Sequence, residues 1–113
     1  MAILAGIKVS EVFFMAHQEI MRTIRMHDDF LLSHGVSKMG IFGSQVRGDQ
    51  HDGSDIDLIV EFEEGKKNYD NFIELCFFLE DLFGKKIDLL TAESISPFMR
   101  ATIDQEVHYE TIH

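Results

Sequence analysis

The 113-residue sequence predicts a small α/β (α+β) fold, a mixed β-sheet with helices packed on it. Two stretches place apolar residues at helical steps of three and four. Three shorter runs have strand character, and the elements follow the order α-β-turn-β-α-β-α. Strands joined by a short connection pair antiparallel, whereas a helix between two strands makes a crossover that permits parallel pairing.

Residues 10 to about 34 form the first helical stretch. Phe13, Ala16, Ile20, Ile24, His27 and Leu31 make one apolar stripe, with Glu19, Arg22, Arg25 and Asp29 off it. Ser10 is placed to cap its start and Gly35 to end it. Val36–Phe42 reads as a strand stopping at Gly43, and Ser44–Arg47 as a short helix or turn. A polar loop spans residues 48–54. Residues 55–62 are the clearest strand, with Ile56, Leu58, Val60 and Phe62 alternating with Asp55, Asp57, Ile59 and Glu61. A second helix covers Tyr69–Phe83, with Phe72, Leu75, Cys76, Leu79, Leu82 and Phe83 as its stripe and Gly84 as its stop. Residues 86–91 give a third strand. Ser96-Pro97 opens a last short helix with a capping serine and proline at the first helical position. Residues 107–112 read as an edge strand or a frayed tail.

A chain of this length has room for one core, so residues 1–113 are read as a single domain. Ten Phe and six Met supply the material for it. The net charge of −10 repels phosphate backbones, which argues against sequence-independent nucleic-acid binding. It suits a basic protein partner, or serves solubility alone. Cys76 is the only cysteine, so no intrachain disulfide forms, and its apolar setting marks a buried thiol, not a nucleophile. The apolar opening, residues 1–7, lacks a basic leader region and is too short to span a bilayer. A cytoplasmic protein without membrane association is expected.

Asp55 and Asp57 lie two apart in an extended segment, so their carboxylates project from one face. Acids on a half-buried sheet repel one another unless a divalent cation sits between them, and oxygen donors suit Mg²⁺ or Mn²⁺. Asp88, flanked by Ile87 and Leu89, repeats the arrangement on the third strand. With that strand beside the second in suitable register, three acids gather and can hold two metal ions for in-line phosphoryl displacement. Gly43-Ser44, at the end of the first strand, supplies a tight turn, backbone N–H groups and a hydroxyl for phosphate oxygens, and Arg47 adds a cation. Arg47 has Asp49 and Asp52 as competing partners, while His51 in the same loop is placed for substrate or solvent. The six histidines show no tight ligand spacing, and His27 reads as a satisfied core residue. Phe13, Phe14, Phe77 and Phe78 exceed one helix face, which points to a two-sided core or a partner surface.

Gly43-Ser44, ten intervening residues and Asp55-Ile56-Asp57 resemble the signature of the DNA polymerase β-like nucleotidyltransferases. The runs Gly43-Ser44-Gln45-Val46-Arg47-Gly48 and Ser54-Asp55-Ile56-Asp57-Leu58-Ile59-Val60-Glu61-Phe62 look like its minimal nucleotidyltransferase branch. Ile87-Asp88-Leu89-Leu90 is similar to that branch's third-carboxylate strand. Val46 departs from the usual alanine, a change expected to crowd the cradle while removing no catalytic group. The resemblance implies the nucleotidyltransferase fold and transfer of AMP from ATP with two Mg²⁺ ions. Asp55, Asp57 and Asp88 would be the catalytic and metal-binding acids, and Gly43, Ser44 and Arg47 the nucleotide-binding residues. It further implies a HEPN-family toxin as partner and a tyrosine of that toxin as acceptor, as in the MntA–HepT type VII toxin–antitoxin systems. Competing readings are a masking module with a vestigial site and a small-molecule nucleotidyltransferase, and a homodimer is left open.

Overall fold

The computed structural model describes residues 9–47 and 55–113, with the side chains of residues 9–16 and 45 outside that description. The apolar opening at 1–7 and the polar loop with Asp49, His51 and Asp52 therefore lie outside the described residues, as do the side chains of Phe13, Phe14 and Ala16. The elements are α1 (Val9–Arg25), α2 (Asp28–Ser33), β1 (Val36–Phe42), α3 (Ser44–Arg47), β2 (Ile56–Phe62), α4 (Tyr69–Phe83), β3 (Ile87–Thr91), α5 (Pro97–Glu106) and β4 (His108–Thr111). A 3-10 turn, Ala92–Ser94, links β3 to α5.

The expected single helix over residues 10–34 is two helices. His27 adopts φ −117° and ψ 34°, outside helical geometry. Its ring Nδ1 donates to the Thr23 carbonyl at 3.0 Å, the acceptor that its own backbone N–H would take in a continuous helix. That N–H turns instead to the Ile24 carbonyl at 2.9 Å, which tightens and ends α1. His27 is otherwise the satisfied residue expected, its ring meeting Phe78 edge-on at 5.3 Å. Helix α1 already runs from Val9, so Ser10 lies inside it instead of capping it. Gly35 ends α2 at φ 76°, as its position predicted.

The sheet order is β3-β2-β1-β4. β1 pairs antiparallel with both β2 and β4, and β2 pairs parallel with β3, so both predicted pairings hold. The closing segment is an edge strand. The stop predicted at Gly84 and the cap predicted at Ser96 hold, and Asn68 adds a cap that sequence reading did not name. Asn71 N–H donates to the Asn68 side chain at 2.8 Å, Gly84 ends α4 at φ 62°, and Ser96 caps α5 with Pro97 at its start.

Each sheet face has its own core. Ile56, Leu58 and Val60 point into the larger one with Ile24, Leu31, Met39, Ile41, Leu75 and Leu79. Ile59, on the carboxylate face, is fully buried with Phe42, Ile95 and Ile103. Alternation alone grouped Ile59 with the polar side of the strand, yet α5 covers that face. Of the extra aromatics whose side chains are described, Phe78 stacks on Phe30 with ring centroids 4.0 Å apart, while Phe77 remains exposed. Cys76 is half-buried against the larger core, and burial, reinforced by Glu80, pushes its thiol pKa up, against a nucleophilic role. Among the described residues no helix is long and apolar enough to cross a membrane.

Candidate active site

The strand register determines which acids meet. Asp57 stands opposite Phe42 of β1 on one side and opposite Asp88 of β3 on the other. The side chains of Asp57 and Asp88 share a hydrogen bond, which requires a proton on one of them. Burial, the charge of Asp88, that hydrogen bond and the charge of Asp55 together push Asp57 up to about 6, against a smaller opposing effect of Arg47. Asp88 is exposed, whereas Asp55 and Asp57 are half-buried.

Gly43 leaves β1 at φ 78°. A Cβ built there would overlap Asp57 Oδ2 and lie 2.9 Å from its Cγ, so only glycine lets this turn rest against the carboxylate. Val46 and Arg47 N–H groups both return to the Gly43 carbonyl at 3.1 Å, which winds Ser44–Arg47 into a single helical turn. Val46 packs against the larger core, so the extra bulk expected to crowd the cradle goes inward.

Glu106, the last residue of α5, escaped sequence reading. Gly43 N–H donates to its Oε1 at 3.0 Å, and Arg47 Nη1 lies 3.2 Å from both carboxylate oxygens. Fifty-nine residues separate Glu106 from Arg47, so no local spacing joins them. One signal was available: an acid in a final helical turn opposes the helix dipole and so asks for a tertiary partner.

The donor set fits a hard divalent cation. It consists of carboxylate oxygens, and the repulsion of Asp57 by Asp88 and Asp55 is one that a bound cation would relieve. Among the described residues no three of His, Cys, Asp and Glu converge as a ready-made metal site. Asp57 and Asp88 touch, while Asp55 acts on Asp57 through its charge.

Adjacent strand carboxylates beside a glycine-serine turn, on a mixed sheet with helices on both faces, define a nucleotidyltransferase. The chain belongs to the nucleotidyltransferase domain family, whose model matches residues 24–109 and so takes in every group described above. It is similar to a candidate protein adenylyltransferase of Methanocaldococcus jannaschii, 46% identical over 76 residues, 67% of this chain and 81% of the relative. Protein adenylyltransferase MntA of Thermococcus cleftensis is 41% identical over 75 residues, 66% of this chain and 75% of the relative. The solved structure of a candidate minimal nucleotidyltransferase superposes with a TM-score of 0.67 at 31% identity, covering 80% of this chain and 92% of that one. The fold also matches a solved complex of a tri-AMPylated Shewanella oneidensis HEPN toxin with its MNT antitoxin, at a TM-score of 0.55 and 16% identity, covering 83% of this chain and 71% of that one.

Proposed function

We propose that this nucleotidyltransferase moves AMP from ATP to a tyrosine hydroxyl of a HEPN-family toxin and so acts as its antitoxin. The observation that carries this reading is the alignment of Asp57 with Asp88 directly beneath the Gly43 turn. It supports a reading in which the acids and the Gly43 turn serve one site. The names of the relatives support adenylyl transfer, and the AMPylated HEPN toxin held by a chain of the same fold supports the partner.

In this reading Gly43, Ser44 and Arg47 hold the triphosphate, and Asp55, Asp57 and Asp88 hold two Mg²⁺ ions. The ions supply charge neutralisation at the phosphates. Asp88, the exposed carboxylate, receives the proton of the acceptor hydroxyl. The freed oxygen attacks the α-phosphorus, and the bond to pyrophosphate breaks as the new phosphodiester forms. Positioning and charge stabilisation supply the rate, with no covalent enzyme intermediate. The chain acts as one domain in the cytoplasm, where ATP is plentiful.

Incubation with Mg²⁺, α-labelled ATP and the product of the neighbouring gene should label that product, whereas γ-labelled ATP should not. Asp57→Ala should abolish the label. Equal labelling by wild type and Asp57→Ala, or none by either, would overturn the proposal.

A further inference from the structure

Resting on that reading of the cradle, we propose that the Glu106 carboxylate is a resident competitor for the triphosphate, seated on the groups that nucleotide must use. Its Oε1 takes the Gly43 N–H at 3.0 Å, and both oxygens meet Arg47 Nη1 at 3.2 Å. A phosphate oxygen would accept from the same two donors. The seat is built into the fold. Glu106 ends α5, which Ile103 anchors in the smaller core, and the chain then turns directly into β4. Gly40 makes the approach possible, since a Cβ there would stand 2.8 Å from both Val107 and Tyr109. The Glu106 side chain is only 16% exposed, so the carboxylate is held in place and is not a drifting surface group.

The consequence is a threshold on binding. With Glu106 seated, Arg47 is neutralised and the Gly43 amide is satisfied beside the acids at 57 and 88. A phosphate group must displace a carboxylate that is already paid for by folding. Apparent affinity falls by the fraction of molecules in which the cradle is open, so a carboxylate seated about nine-tenths of the time weakens binding about tenfold.

Binding of Mg²⁺-ATP to the full chain, with no acceptor protein present, tests this by calorimetry. Glu106→Gln keeps the size and an acceptor oxygen but loses the charge, and Glu106→Ala removes the group entirely. Both should bind Mg²⁺-ATP about tenfold more tightly than wild type, a gain of about 1.4 kcal/mol. Thermal melts would verify that each is folded. Unchanged or weaker binding by folded Glu106→Gln would overturn the proposal and make Glu106 a support that positions Arg47. Absence of binding in all three folded proteins would instead defeat the cradle assignment, and this inference with it.

Discussion

Asp57→Asn should stabilise the metal-free protein at neutral pH, although it removes a charge from the centre of the site. Asp57 is held at about 6 in the folded chain against an ordinary value of 3.8. Between those values the native state binds more protons than the unfolded one, so stability falls as pH rises through the interval. Well below 3.8 the carboxyl is protonated in both states and costs nothing. Above about 6 the full penalty applies, with a ceiling of about 3 kcal/mol from the gap between the two values. Asp57 is half-buried, and solvent screening brings the expected figure down to about 1–2 kcal/mol. Urea unfolding in EDTA at about pH 3 and pH 7.5, wild type against Asp57→Asn, measures it. The variant should gain about 1–2 kcal/mol at pH 7.5 and almost nothing at about pH 3. A variant destabilised at pH 7.5, or gaining equally at both pH values, would refute the reasoning.

Three further outcomes follow. Gly43→Ala should cost about 1–3 kcal/mol in unfolding free energy and eliminate nucleotide binding, because φ is 78° and the new methyl meets Asp57. Ile59→Ala should cost about 2–5 kcal/mol, while Phe98→Ser, at a residue 93% exposed, should stay within about 0.5 kcal/mol; urea titrations separate the two. EDTA should stop label transfer completely, and Mn²⁺ should restore it as Mg²⁺ does, which a transfer assay with each ion reads directly.

Much of this architecture was legible because local chemistry and global fold agree. The seven-residue alternation in β2, the cap at Ser96 and the stop at Gly84 act within a few residues and need no tertiary context. The face shared by Asp55 and Asp57 follows from the period of a strand, and the crossover through α4 allowed β3 to bring Asp88 alongside. What escaped depends on distant partners. His27 breaks the first helix through a ring-to-carbonyl bond that leaves the hydrophobic period intact, so periodicity ran straight across it. Ile59 looked polar-facing because a second core exists only once α5 folds over that side. The inward turn of Val46 and the reach of Glu106 depend on how α3 and α5 dock.

A crystal structure of the full chain with Mg²⁺ and a non-hydrolysable ATP analogue tests the central assignment most directly. The account predicts metal held by Asp55, Asp57 and Asp88, the triphosphate on Gly43, Ser44 and Arg47, and Glu106 moved off the Gly43 N–H. Nucleotide bound away from the Gly43 turn, or metal bound without Asp57, would contradict it.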